Sequence, residues 1–269
     1  MMFFKQTALV CALAISQFVF ADSPYDVPSS DNSYKKEGRP KRSPFHAIVA
    51  SGYAWSMDAD IRGVDTDFWA PSDTGYNAKL GNSPFIMLGF GYRLFHMLDI
   101  DFGYTLYDEF EYQKNQTDPF GNKRTRFFDL SHQSSLFNFT LSPYAFSFAK
   151  IEISPLIGLG LGVGTSKVSD FQTVFYDPLL QGIGLTTSIG ANRTTNAFAW
   201  QGMGGFRVHP KASKLNLDIA YRYYNGGTFK TPASVIDYNG LGQGEVDSSE
   251  PWKGTLQTNQ FYFAINFSI

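Results

Sequence analysis

Along residues 260–269 the large apolar side chains of Phe261, Phe263, Ile265, Phe267 and Ile269 fall on odd numbers, with smaller or polar residues mostly between them. A repeat of two belongs to a β-strand, whose successive side chains leave opposite faces. The same alternation recurs in seven earlier segments. Residues 45–57 set Val49, Tyr53 and Trp55 against His46, Ala50, Gly52, Ala54 and Ser56, with Ile48 out of phase. Residues 85–94 and 98–107 alternate more cleanly and are separated only by Phe95, His96 and Met97, which predicts a hairpin. Further strands are predicted over 134–142, 151–164, 197–208 and 215–224.

The two faces of these segments differ in kind. One is uniformly large and apolar, up to the last residue; the other is built from Gly, Ala, Ser and Thr with occasional charges. A soluble sandwich would show water a charged, long-chained face. Strands that meet hydrocarbon on one side and a cramped polar bore on the other span membranes only in closed barrels. The expected fold is therefore all-β, an eight-stranded antiparallel transmembrane β-barrel over residues 45–269. Ten strands would follow if a hairpin were recruited from 165–196. Four long connections, 58–83, 108–133, 165–196 and 225–255, are rich in Gly, Asp, Asn, Thr and Ser and are expected to be surface loops. They alternate with short turns, of which 143–150 is unusually aromatic. Tyr53, Trp55, Tyr92, Tyr104, Trp200, Tyr221 and Tyr223 lie on the outward parity, where amphipathic rings anchor at headgroups.

Charges on the inward parity come in both signs: Arg93, Arg207 and Arg222 against Asp99, Asp101, Glu152 and Asp218. Isolated buried charges are costly, so they are expected to pair into a lumen ion-pair network that plugs the bore. The competing expectation is a gate over a small ion path.

Composition narrows the class. Aromatic residues make up 17% of the chain, charged residues 17%, and the mean hydropathy is −0.19, so no long apolar helix follows residue 21. Residues 1–21, with Lys5, an apolar run over 8–20 and small or tolerated residues before the cut, read as a signal peptide. They contain the single cysteine, Cys11, so the mature chain would have no disulfide and no cysteine metal site. Residues 22–44, with the basic run Lys35 to Arg42, read as a flexible periplasmic tail. Removing Lys5 takes the formal charge from −2 to −3, which is no signature of nucleic-acid binding.

Trp200-Gln201-Gly202-Met203-Gly204-Gly205-Phe206-Arg207-Val208, followed by Leu215-Asn216-Leu217-Asp218-Ile219-Ala220-Tyr221-Arg222-Tyr223-Tyr224, resembles the penultimate hairpin of the OmpA-like and opacity-protein-like small outer-membrane barrels. Leu98-Asp99-Ile100-Asp101-Phe102-Gly103-Tyr104 resembles the same phrase. The resemblance covers most of residues 45–269. It implies an eight-stranded barrel of the bacterial outer membrane with surface loops and no catalytic centre. Its partners would be outer-membrane lipid, lipopolysaccharide and the barrel-insertion machinery. The chain departs from full-length OmpA in carrying no peptidoglycan-binding domain after the last strand, and it ends in Ile269 where many members end in Phe.

Candidate chemistry is sparse. His132-Gln133-Ser134 has the spacing of barrel lipid hydrolases, but its parity points inward and no acidic third partner is identifiable. Asp99-x-Asp101 follows a short turn, at the end opposite the one where barrel proteases act. Gly158, Gly160, Gly162 and Gly164 repeat every two residues with no following helix or lysine, which makes them lumen filler rather than a phosphate loop. The four histidines have no metal-ligand spacing, and no cofactor is expected. The first functional expectation is a non-enzymatic, adhesin-like barrel that meets host or matrix ligands through its loops. Phe68, Trp69, Phe120, Phe127, Phe128, Phe171, Phe175, Tyr176 and Trp252 supply contacts or pack the loops together. A narrow porin for small solutes is the alternative, and a lipid hydrolase the minor one.

Overall fold

The computed structural model describes residues 43–61, 70–95, 97–117, 121, 123–176, 183–188, 192–211, 213–232, 234–237, 245–248 and 251–269. The signal peptide, nearly all of the tail, and Phe68, Trp69 and Phe120 lie outside the described residues. Fourteen strands follow in chain order: β1 Phe45–Ser56, β2 Ala70–Leu80, β3 Ser83–Phe95, β4 Leu98–Tyr107, β5 Phe110–Thr117, β6 Lys123–Leu141, β7 Phe146–Phe148, β8 Ile151–Tyr176, β9 Ile183–Ser188, β10 Asn192–Pro210, β11 Leu215–Lys230, β12 Ser234–Asp237, β13 Glu245–Ser248 and β14 Lys253–Ser268.

Eight of them close a ring: β1, β3, β4, β6, β8, β10, β11 and β14, each antiparallel to the next. The last strand closes on the first, running from His46 opposite Ser268 to Ser56 opposite Thr258. No ring strand therefore keeps a free edge through the membrane. That closure is the condition for a sheet to sit in hydrocarbon.

Parity assigns the faces as expected. On β14, Phe261 is exposed, and Tyr262 and Ala264 are buried; on β8, Ile157, Leu159, Leu161 and Val163 are exposed while Leu156 is buried. Phe90, Phe137, Phe198 and Phe206 are each more than half exposed around the same girth. In water such a band would be an aggregation surface; here it is the lipid belt. Tyr53 packs edge-on against Trp55, Trp200 tilts against Tyr223, and the Tyr104 hydroxyl donates to Gln133 Oε1 at 2.6 Å, at the upper edge of the belt.

Among the described residues, the long connections carry strands. β6 has 19 residues and β8 has 26. At about 3.3 Å per residue and a tilt of about 40°, a strand of β8's length rises roughly 65 Å, against an apolar band of ~25 Å. Beyond the belt, β5 continues alongside β6 and is joined by β2, while β9 joins β8 and leads to β12 and β13. A wall of seven strands, in the order β2, β5, β6, β8, β9, β12, β13, thus stands on the outer side. Their polar composition does not prevent this, because backbone pairing with a long neighbour outweighs weak strand propensity. Ten ring strands are excluded too: β9 pairs with β8 only over Gln172–Tyr176, past the ring.

Candidate functional site

The inward side chains fill the bore at three levels. Nearest the short turns, Arg207 on β10 lies opposite Asp218 on β11, and Arg93 on β3 opposite Asp99 on β4. The Arg207 guanidinium grips Asp218 through Nε and Nη2 at 2.7 and 2.9 Å, and its Nη1 reaches across the bore to Asp99. Arg93 Nε donates to Asp99 at 2.8 Å, Asn266 Nδ2 donates to Asp218 at 2.8 Å, and His46 Nε2 lies 2.6 Å from Asp101 Oδ1. One arginine therefore ties β10 and β11 to the facing strand β4. A two-oxygen grip of this kind fixes geometry as well as charge.

Arg222 does not belong to that network. It is buried among neutral groups, with Nε donating to Gln260 Oε1 at 2.6 Å and Nη2 3.4 Å from the Tyr107 hydroxyl. Its guanidinium carbon sits 4.6 Å from the Phe85 ring centre and 5.0 Å from that of Tyr262. Ring faces and amide oxygen solvate the cation in place of a carboxylate. Glu152 is the second correction: half-exposed at the rim, it takes no part in the network. Arg93, Asp99, Asp101, Arg207 and Asp218 gather at this level.

Above Arg222, Gln260 Nε2 donates to Tyr107 at 3.0 Å and to Thr258 at 2.6 Å, and Tyr107 stacks on Tyr224. His132 Nε2 lies 2.6 Å from the Tyr224 hydroxyl and its Nδ1 2.9 Å from Ser166 Oγ. Both ring nitrogens are thus engaged away from Ser134, which faces the bore and not lipid. The inward glycines make room for these groups. A Cβ on Gly164 or Gly226 would come within 2.9 Å of the His132 ring, and one on Gly160 within 2.8 Å of Gln201 Cγ.

The third level lies beyond the belt. Tyr112 stacks on Phe128 at 4.6 Å, Phe128 meets Phe171 and Phe229, and Phe171 meets Trp252 edge-on at 5.4 Å. Arg126 caps the Trp252 ring at 4.5 Å. Phe128, Phe171 and Trp252 are therefore core residues and not contact residues; Phe127, on the other parity, is half-buried. Inward parity on β4, β11 and β14 marks Tyr107, Tyr224 and Gln260 as bore residues although they carry no charge, and His132, read from the sequence only beside Ser134, joins them.

On the outer surface Glu109, Glu111, Asp129 and Asp170 gather past the belt. Burial first, then the charges of Glu109, Asp170 and Glu111, hold the Asp129 carboxyl above its usual range.

A closed eight-strand ring, greasy outside and filled inside, defines the class: a small transmembrane β-barrel. No protein-family model and no curated protein matches the sequence. Among solved structures, the chain is similar to the outer membrane protein OprG from Pseudomonas aeruginosa, at 13% identity and a TM-score of 0.48 over 85% of this chain and 98% of that one. It is also similar to Neisserial surface protein A, at 11% identity and a TM-score of 0.41 over 84% and 98%. The outer membrane protease OmpT from Escherichia coli is similar at 8% identity and a TM-score of 0.31 over 85% and 98%.

Proposed function

We propose that the barrel is a closed, non-enzymatic anchor in the outer membrane and that its outer wall of strands is an adhesin-like contact surface for host or matrix ligands. The observation that carries this reading is the disproportion between bore and wall. The bore is packed with paired charges, then hydrogen-bonded rings, then an aromatic core, while β6 and β8 run far past the belt. Length beyond the membrane contributes nothing to anchoring, and a packed extension offers a rigid surface to a partner at low ordering cost. The narrow porin would need Arg207 to release both Asp99 and Asp218, and the lipid hydrolase would need His132 to leave Tyr224 and Ser166; no arrangement among the described residues favours either.

Cells displaying the full chain are to be compared with cells displaying a trimmed one, in which 114–125 and 172–191 are each replaced by a two-residue Asn-Gly turn. Both should show the same heat-modifiable gel shift. The full chain should raise adhesion to host cells or matrix-coated surfaces above cells lacking the protein, and the trimmed chain should not. Equal adhesion by both chains, or none by the full chain, would overturn the contact role. Planar-bilayer recording addresses the bore: the parent should give no unitary conductance, and steady channels would favour the porin.

A further inference from the structure

We infer that the periplasmic end of β7 and β8 carries a binding site for an anionic phospholipid of the inner leaflet, with Lys150 and Lys211 holding the phosphate and Phe146, Phe148 and Ile151 lying against the acyl chains. This rests on the barrel itself and is independent of what the outer wall binds.

The level of the site follows from the strand. Val163 is the last outward apolar residue on β8 before Thr165 and Lys167. Counting down from it, about 25 Å of belt uses roughly ten residues and ends near Ile153. Phe146 lies opposite Ile153 and Phe148 opposite Ile151, so both rings share the lipid-facing side at the boundary between hydrocarbon and headgroups. Tyr144, Phe146 and Phe148 are 73%, 61% and 63% exposed, and none of the described residues covers them. Aromatic rings at this depth sit among glycerol and phosphate groups.

Cations complete the site. The turn Ala149–Lys150, with Ala149 in the left-handed region at φ 43°, sets exposed Lys150 at the hairpin tip, just below those rings. Lys211, in the next turn around the ring, is tied to it by a backbone hydrogen bond from its N–H to the Lys150 carbonyl at 2.9 Å. Neither ammonium makes an ion pair with a described residue. The nearest carboxylate along β8, Glu152, is on the inward parity. Two unpaired cations beside exposed rings fit a phosphodiester above its own acyl chains. On the opposite side of the ring, Phe45, Tyr92 and Phe95 are also exposed, but the arginine among them, Arg93, is committed to Asp99. Aromatic anchoring is therefore general around the lower rim; the exposed lysines there among the described residues are Lys150, Lys211 and Lys214, and Lys214 lies further round, where its carbonyl accepts from Ser268 N–H on β14.

The test is native mass spectrometry of the full chain released from micelles containing equal phosphatidylglycerol and phosphatidylcholine, each variant first checked for the parent's heat-modifiable shift. The parent should retain phosphatidylglycerol preferentially, by about fivefold for each lysine. Lys150→Gln with Lys211→Gln should lower the preference roughly 25-fold relative to the parent, and the same pair changed to Arg should keep it. Phe146→Ser with Phe148→Ser should lower retention of both lipids. Lys123→Gln, an exposed cation at the other end, should change nothing. Equal retention of the two lipids by the parent, a preference undiminished in the double Gln variant, or one lost equally with Lys123→Gln would overturn the inference. The basic run from Lys35 to Arg42 is common to every variant and cancels.

Discussion

At the scale of single residues, the bore is where charge and size have least freedom. Arg207 neutralises two carboxylates from opposite walls, and Asp99 and Asp218 are almost fully buried. Arg207→Ala should cost about 3–5 kcal/mol, the range for leaving buried charges without their partner. The measurement is urea unfolding in micelles. Arg207→Lys should recover only part, because an ammonium cannot reproduce the two-pronged grip on Asp218. The sequence announced this cluster through inward charges of opposite sign after two short turns. It put Arg222 in the bore without its neutral surroundings, since which groups solvate a cation depends on strands distant along the chain: Phe85, Tyr107, Gln260 and Tyr262 come from β3, β4 and β14.

At the scale of elements, the outer extension of β6 depends on Phe128. Its ring contacts Tyr112, Phe171 and Phe229 and links four strands. Phe128→Ala should cost about 3–5 kcal/mol. The loss should appear as protease cutting within 108–133, while the heat-modifiable shift of the ring persists. Asp129, on the opposite face of β6, makes a pH-dependent contribution. Its folded-state pKa is raised, so the folded hairpin holds the proton more tightly than the unfolded chain does, and stability from this group falls as pH rises through the carboxylate range. Asp129→Asn should therefore increase protease protection of the hairpin at pH 7. The gain should vanish below about pH 3, where the carboxyl is protonated in both states. Links rich in Asn, Asp, Thr and Gly looked like loops because strand propensity is a local quantity. The pairing that makes them strands, residue against residue from β6 to β8, is not.

At the scale of the whole molecule, the ring sorts side chains between two solvents. Spin labels at Phe263 and Ala264 in a bilayer should report hydrocarbon at the first position and a crowded interior at the second; water at Phe263 would contradict the belt. The alternation and the faces were legible from the amino acids alone, because a period of two and the contrast between Phe or Leu outside and Gly or Ala inside are local consequences of which solvent each side chain meets; eight ring strands rather than ten was settled by where β9 pairs. Strand partners beyond the belt, the burial of Phe128, Phe171 and Trp252, and the reach of Arg207 to Asp99 were decided only by the tertiary structure. Those contacts join residues up to about a hundred positions apart, and closure of the ring is what brings them within reach.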